Sequence, residues 1–193
     1  MNIAPIIEHF SNYLPLSDSE ILELESKLIE KKVKRRQFIL QEGDVCKHYT
    51  FVVNGCFKMY KVDNKGLEHN LQFSIENAWI ADIGSFYSNK PSELYIEALE
   101  QSTILQIAKP DLLYLYSQYP KFDRNFRVLI ENAFISLQKR VLQNISSTAE
   151  ERYLDFLKNY PNLFNRISNV QIASYIGVTP EFLSKIRKSI ATK

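Results

Sequence analysis

The densest group of side chains able to bind a ligand lies near the end of the chain, between Thr179 and Lys188. Thr179 and Pro180 form a helix start, because threonine caps a helix and proline fits its first position. The helix that follows would expose carboxylate, hydroxyl and cationic groups, which can hydrogen-bond base edges or meet phosphates. These side chains belong to Glu181, Ser184, Lys185, Arg187 and Lys188. Together with Thr179 and Pro180, they are the predicted DNA-binding residues.

A short amphipathic segment precedes this helix and would support it. Ser168 and Gln171 have the spacing of a capping box, and Gly177 can end the first helix with a positive φ. Apolar residues at helical spacing would pack the two helices together. They are Ile172, Ile176, Val178, Leu183 and Ile186. The pattern predicts a helix-turn-helix. The alternative is an αα-hairpin with a solvated polar face. Ala173 is small at the point where the two helices would cross closely, which favours the DNA-reading interpretation.

Positive charge is concentrated in the same part of the chain. The whole chain has a net charge of +2, but the part from Lys139 onward contains nine lysines and arginines and four acids, so it carries +5 and the remainder −3. This distribution favours the C-terminal part as the binder of a polyanion. No apolar run approaches the about 18 residues of a membrane span, and the beginning lacks the layout of a signal peptide, so we expect a cytoplasmic protein.

The sequence offers little for metal binding or catalysis. Cys46 and Cys56 are its two cysteines, and they complete no zinc or iron–sulfur set with the three scattered histidines. No nucleophile–base pair or phosphate-binding loop stands out either. We therefore expect no metal site, no cofactor and no enzymatic activity.

The region from Val33 to about Lys109 has the pattern of a β-domain. Its short segments are rich in β-branched and aromatic residues and are separated by turn signals. Asn54-Gly55 predicts a two-residue type I′ hairpin turn. Residues 1–32 are predicted to be helical, and the basic residues that follow Glu30 are interpreted as a solvated helix end.

A long apolar stripe begins after Pro120. Apolar residues return every three or four positions over about 25 residues, which exceeds what a small domain covers by itself. We interpret this segment as a dimerisation helix. The alternative is that the stripe packs on its own β-domain. Phe134 and Ile135 lie off the stripe and could also pack on the β-domain. The predicted interface residues are Phe126, Leu129, Ile130, Ala133, Leu137 and Val141. Ser146–Thr148 would form a hinge after this helix.

The order of these parts resembles the cyclic-AMP receptor protein/FNR superfamily of bacterial transcription regulators. The resemblance covers nearly the whole chain and is most specific at Glu42-Gly43-Asp44, YTFVVNGCFKMY, WIADIGSF, and TAEERYLDFL joined to IASYIGVTPEFLSKIRK. It implies an α+β protein with an N-terminal antiparallel β-roll, flanking helices, a long dimerisation helix and an all-α helix-turn-helix domain. The corresponding divisions are 1–118, 119–145 and 146–193.

The segment that matches the family's cyclic-nucleotide pocket departs from the family pattern. Family members that bind cyclic nucleotides use a Gly-Glu pair and an Arg-Ser or Arg-Thr pair, where this chain has Ala81-Asp82 and Ser92-Glu93. Losing the arginine and adding a like charge would together lower affinity for a cyclic phosphate by about a thousandfold. We therefore expect cyclic AMP and cyclic GMP not to be ligands. The FNR-type cysteine cluster is also absent.

The resemblance also assigns roles on the second helix of the helix-turn-helix. Glu181 matches a position where a carboxylate accepts from a cytosine amine, and Lys185 one where a cation reaches guanine. The family's β-hairpin wing would be rudimentary here. The expected partners are double-stranded DNA, a second copy of the chain and RNA polymerase, with no membrane. The competing interpretation is a ligand-sensing or protein-interaction module of the same fold without specific DNA binding.

Overall fold

The computed structural model describes residues 1–191, and Thr192 and Lys193 lie outside the described residues. Within this part, the chain forms two compact units. The first unit comprises residues 1–59 and 73–132, and the second comprises residues 60–72 together with the chain from 133 onward.

Helices and strands alternate in the N-terminal part, and helices alone occupy the C-terminal part of the described chain. The elements are α1 (Ala4–Ser11), α2 (Asp18–Lys27), β1 (Leu28–Val33), β2 (Phe38–Leu40), β3 (His48–Asn54), β4 (Phe57–Val62), β5 (Glu68–Ser74), β6 (Trp79–Ile80), α3 (Ile83–Ser88), β7 (Tyr95–Ala98), β8 (Ser102–Ala108), α4 (Lys109–Gln118), α5 (Pro120–Ser146), α6 (Ala149–Asn159), α7 (Asn169–Ile176) and α8 (Pro180–Ala191).

The strands form two four-stranded sheets, in the orders β1-β8-β3-β6 and β2-β7-β4-β5. The β1–β8, β3–β8, β3–β6 and β2–β7 pairs are antiparallel. Strands that are distant in sequence are thus neighbours, as expected when an antiparallel sheet rolls over a common core. The predicted α+β class, with a β-roll, flanking helices and a C-terminal helical part, is confirmed.

Aromatic rings fill the core of the first unit where helices pack on the roll. The ring of Phe126 lies 5.0 Å from that of Trp79 and 5.6 Å from those of Phe10 and Tyr49. Phe126 is only 1% exposed, so its side chain cannot contact a second subunit. This corrects its assignment to the dimer interface: the start of the apolar stripe on α5 belongs to the core of the first unit.

Two local predictions in this unit were wrong. Leu28–Val33 forms strand β1 instead of a helix end, because it pairs residue by residue with β8, from Leu28 opposite Ile107 to Val33 opposite Ser102. The lysines that follow Glu30 therefore lie on a strand and the turn after it. Long-range pairing has overridden the local helix pattern, which a sequence window cannot detect.

Asn54-Gly55 does not form a type I′ hairpin. Gly55 has a φ of +108° while Asn54 does not adopt a positive φ, and the strands on either side belong to different sheets. A Cβ atom on Gly55 would lie 2.1 Å from Ser102 Oγ and 2.9 Å from Ser102 Cα. This glycine therefore allows a close backbone approach at a corner between the sheets.

The helices of the second unit surround a small apolar core. Its fully or nearly buried residues are Tyr153, Phe156, Leu163, Ile172, Ala173, Ile176, Leu183 and Ile186. Thr148 caps α6 and forms a capping box with Glu151, whose backbone N–H donates to Thr148 Oγ1 at 3.2 Å. Hydrogen bonds from the backbone N–H of Thr148, and from its hydroxyl, lower the pKa of Glu151.

Candidate nucleic-acid interface

Helices α7 and α8 form a helix-turn-helix with the local features expected from the sequence. Ser168 caps α7, and its N–H donates to Gln171 Oε1 at 2.9 Å. Gly177 ends α7 in the left-handed conformation with a φ of +72°. The N–H of Val178 then donates to the carbonyl of Ala173 at 3.0 Å. The turn is therefore closed by backbone geometry that glycine adopts without strain.

Thr179 and Pro180 begin α8 as predicted, and the next turns expose a polar face. The N–H of Phe182 donates to Thr179 Oγ1 at 3.2 Å, so the threonine hydroxyl serves as the cap. Ser184 Oγ donates to the carbonyl of Pro180 at 2.9 Å. The exposed residues of this helix include Glu181, Ser184, Lys185 and Lys188. Leu183 and Ile186 point inward, so the helix separates a buried apolar face from a face open to a ligand.

Phe182 adds an apolar group to this exposed face. Phe182 is 49% exposed, so it does not complete the core beside the buried Leu183. An exposed aromatic ring among polar groups can contact the methyl group of a thymine. Spacing alone did not decide which way this ring points, so Phe182 was not among the predicted DNA-binding residues.

Arg187 occupies a different position from the other cations of α8. It is half-buried, its guanidinium lies 4.8 Å from the centre of the Phe164 ring, and it donates a hydrogen bond to Asn169 Oδ1. These contacts fix Arg187 against the start of α7. The exposed cations are therefore Lys185 and Lys188, while Arg187 stabilises the unit from its edge.

A clamp centred on Arg140 holds α7 against strand β5 of the β4–β5 hairpin within the second unit. The Arg140 guanidinium lies 4.1 Å from the centre of the Tyr175 ring and donates to the carbonyls of Asn70 at 3.0 Å and Tyr175 at 3.3 Å. It also donates to the carbonyl of Leu71. One side chain thus connects α5, α7 and the hairpin.

Ser174 makes the second half of this connection. Its hydroxyl donates to the carbonyl of Glu68 at 2.6 Å and accepts from the N–H of Asn70 at 3.0 Å. Asn70 Nδ2 in turn donates to the carbonyl of Gln171 at 3.2 Å. These contacts could not be predicted from the sequence. The partners are about a hundred residues apart, and hydroxyl or amide side chains on a helix face are ordinarily solvated.

Arg152 joins the helix-turn-helix to the segment after α5. Its Nε donates to the carbonyl of Ile176 at 2.9 Å, and its Nη1 donates to the carbonyl of Ser147 at 2.7 Å. It therefore satisfies a carbonyl at the C-terminal end of α7 and another in the predicted hinge. Lys139 on α5 adds an ion pair to Asp155 on α6, with a distance of 2.7 Å from Nζ to Oδ1.

The second half of α5 carries a continuous exposed apolar face. We define this apolar face by Phe134, Leu137, Val141, Leu142 and Ile145, all at least half exposed and Ile145 80% exposed. Of the predicted interface residues, Leu137 and Val141 lie on it, Ala133 is exposed beside it, and Leu129 and Ile130 are partly buried in the first unit. Phe134, Leu142 and Ile145 are exposed apolar residues that the predicted stripe omitted.

Asp82 and Ser92, predicted to lie in a degenerate effector pocket, contact one another. Ser92 Oγ donates to Asp82 Oδ2 at 2.6 Å, and Asp82 Oδ1 accepts from the N–H of Ser85 as the cap of α3. Ala81 and Ser92 are buried, while Glu93 is exposed. A carboxylate and its hydroxyl partner thus occupy the segment where an anion-binding member of the family has an arginine.

Comparisons with known proteins agree with this architecture. The cyclic nucleotide-binding domain family matches residues 30–119. Electron transport regulator A of Shewanella oneidensis is 26% identical over 183 residues, which cover 89% of this chain and 72% of that protein. Regulatory protein HlyX of Actinobacillus pleuropneumoniae is 27% identical over 185 residues, which cover 89% of this chain and 75% of that protein.

A solved structure gives the same fold. That of FixK2 from Bradyrhizobium japonicum superposes with a TM-score of 0.75 at 18% identity, covering 86% of this chain and 85% of that one. The β-roll and the helix-turn-helix define a class of transcription regulators built on a cyclic nucleotide-binding domain. These comparisons confirm the resemblance of the chain to the Crp/Fnr family.

Among residues 1–191, no helix is both long and apolar enough to span a membrane. The same residues contain no group of three or more histidine, cysteine or acidic side chains placed to hold a metal ion.

Proposed function

We propose that this protein is a homodimeric DNA-binding transcription regulator that reads a two-fold symmetric operator in the major groove. The observation that carries the proposal is the exposed polar face of α8, supported from behind by buried apolar residues. In this proposal, residues 1–118 form a sensor-like β-roll, 119–145 the dimerisation helix and 146–193 the DNA-binding part. Its site of action is the cytoplasm, and RNA polymerase is a proposed partner.

The chemistry of the α8 face supports base reading. Lys185 is exposed and can reach the acceptors of guanine, and Glu181 can accept from the amine of cytosine. Thr179, Ser184 and Lys188 supply groups for phosphate or additional base contacts. Because Arg187 is held by Asn169 and Phe164, we assign it a positioning role and move Phe182 to the DNA-contacting set.

The apolar face of α5 supports the dimer. An exposed strip of five large apolar side chains is unusual on an isolated subunit, and pairing it with a second copy would remove it from water. Few base contacts are available to one α8 helix, so one subunit alone would bind weakly. Two copies would present their α8 helices about 34 Å apart, one turn of DNA, which requires a symmetric operator.

The Asp82–Ser92 contact supports a β-roll that does not bind cyclic AMP. A cyclic phosphate brought next to the Asp82 carboxylate would meet like charge, and the Ser92 hydroxyl already donates to that carboxylate. Any signal that the roll transmits would therefore come from other chemistry.

Selection of bound sequences from random duplex DNA tests the proposal directly. We expect a palindromic consensus and an affinity that falls steeply with salt, because phosphate neutralisation releases counterions. We expect Lys185→Ala to lower affinity for the selected site about tenfold or more and to relax the preference at one symmetric pair of positions. Lys158→Ala is the matched control, since Lys158 is an exposed lysine on α6 and its loss should leave affinity nearly unchanged.

Three results would contradict the proposal. The purified protein could fail to select any sequence at low ionic strength, or sediment as a single subunit at micromolar concentration. It could also bind a protein through α8 with little salt dependence, which would favour the interaction-module alternative.

A further inference from the structure

The first unit contains an open cavity that the proposed function does not use. Its volume is about 440 Å³, within the range of about 300–1,000 Å³ typical of small-ligand sites. None of Ala81, Asp82, Ser92 and Glu93 lines it, so it is distinct from the degenerate phosphate pocket. Its lining comes mainly from β1, β2, β3 and the segment that leads into β3, with one residue each from β6, β7 and β8.

The floor of the cavity contains a buried polar pair. Thr50 on β3 and Gln106 on β8 face one another across the sheet, and Gln106 Nε2 donates to Thr50 Oγ1 at 3.0 Å. Gln106 is 3% exposed, yet its Oε1 atom has no hydrogen-bond partner among residues 1–191. Turning the amide around would exchange the unpaired oxygen for an unpaired NH₂ group, so one polar atom stays unsatisfied in either orientation. A ligand that donates a hydrogen bond here would remove this unfavourable state.

The rim of the cavity is cationic and its walls are apolar. Lys31, Lys32 and Lys47 line the cavity and are exposed, whereas Asp44 is the one carboxylate that residues 1–191 contribute to its lining. The walls include the buried side chains Val33, Leu40, Ile80 and Ile96. Such a cavity favours a molecule with an anionic end at the rim and an apolar body inside.

His48 lines the same cavity, and its pKa depends on the charges around the cavity. Burial, together with repulsion from Lys31 and Lys47, lowers the pKa of His48. A bound anion would offset the lysine charges and raise this pKa, which gives a direct spectroscopic readout of occupancy.

We infer that this cavity binds a small organic anion with an apolar body and a hydroxyl or amine group. The anionic end lies at the lysines, and the hydroxyl or amine donates to Gln106 Oε1. This inference goes beyond the proposed function and does not depend on DNA binding.

Two matched series of compounds test the site on the full-length protein. The first is ω-hydroxyhexanoate, hexanoate and hexanediol, and the second is hydroxycyclohexane carboxylate, cyclohexane carboxylate and cyclohexane diol. Calorimetry gives the affinities, and NMR of the His48 ring gives its pKa. In at least one series, we expect the hydroxy acid to bind about tenfold more tightly than the plain acid and the diol, and to raise the pKa of His48.

Substitutions in the protein test separately the contacts to the hydroxyl end and to the anionic end of the ligand. Gln106→Leu should remove the advantage of the hydroxy acid over the plain acid, and the double change Lys31→Gln and Lys47→Gln should remove its advantage over the diol. Lys90→Gln, at an exposed lysine of the same unit outside the cavity lining, is the matched control and should change neither. Ile39→Trp should fill the cavity and abolish binding without leaving a polar group unpaired, in case Gln106→Leu fails to fold.

The inference is overturned if no compound of either series perturbs His48, or if Gln106→Leu and Ile39→Trp both fold and leave the affinities unchanged. DNA binding is measured on the same preparations with the selected operator. Because the two assays are independent, failure of the anion site and failure of the proposed DNA-reading function can be told apart.

Discussion

The two units of the molecule are stabilised by different kinds of interaction. The first packs aromatic rings from helices and strands into a closed cluster in which Phe10, Phe51 and Phe126 are fully buried or nearly so. The second has a smaller apolar core, to which Arg140 and Arg152 add directional hydrogen bonds to backbone carbonyls. Burial of large rings resists small displacements, whereas side-chain bonds to backbone can be broken one at a time. The difference indicates a rigid roll and a helix-turn-helix whose support can be adjusted.

The largest expected effect comes from removing a ring of the first unit. Phe126→Ala should lower the free energy of unfolding by about 3–5 kcal/mol, because it leaves a cavity among rings that cannot collapse into it. Urea unfolding measures the change. Leu113→Ala on α4 is the control, because Leu113 is 44% exposed and should cost far less. A cost for Phe126→Ala no larger than that of Leu113→Ala would contradict the assignment of Phe126 to the core.

A smaller effect, confined to the second unit, is expected from Arg152→Met. The change keeps much of the aliphatic side chain but leaves the carbonyls of Ile176 and Ser147 without their donor, which should cost about 2 kcal/mol. Hydrogen exchange should accelerate in α6 and α7 while β3 and β8 stay protected. Lys158→Met, at an exposed lysine of α6, serves as the control. Equal acceleration in both units would mean that they unfold together and would remove the distinction between them.

The smallest effect is expected from mild acidification, and it should appear in the first unit. Burial lowers the pKa of His9, and burial with two neighbouring lysines lowers the pKa of His48. The unfolded chain therefore binds these protons more readily, so stability is lost as the pH falls below about 6.5, the ordinary histidine value. Helices α6, α7 and α8 contain no histidine.

Hydrogen exchange at neutral pH and at about pH 5.5, corrected for the intrinsic exchange rate, measures this difference between the units. Replacing His9 and His48 by glutamine should flatten the response of the first unit. A response that persists in the double variant, or that is larger in α6–α8, would show that other groups control it.

The parts that the sequence predicted well depend on neighbours close along the chain. The predicted Ser168–Gln171 capping box formed, because it needs only residues three apart. The two helices and the Gly177 turn between them were predictable for the same reason. Their apolar spacing also identified the buried side of α8.

The parts that were missed depend on distant partners. The strand character of Leu28–Val33 comes from β8, and the clamp of Arg140 needs a hairpin seventy residues earlier. The stripe on α5 was recognised, but its period could not tell that Phe126 faces the rings of the first unit while Leu142 is exposed. The sequence likewise cannot predict that the side-chain amide of Gln106 has an unpaired oxygen, because this depends on which strand lies beside β8.

The chain passes between its two units three times, and each passage falls inside a regular element: β4, β5 and α5. No flexible linker therefore marks a place to cut. A fragment beginning at Ser146 would lack both Arg140 and the hairpin backbone at Glu68 and Asn70 to which Ser174 is hydrogen-bonded. Engineers who wish to graft this reading helix onto another sensor would have to transfer the hairpin with it, or supply a substitute for the lost bonds.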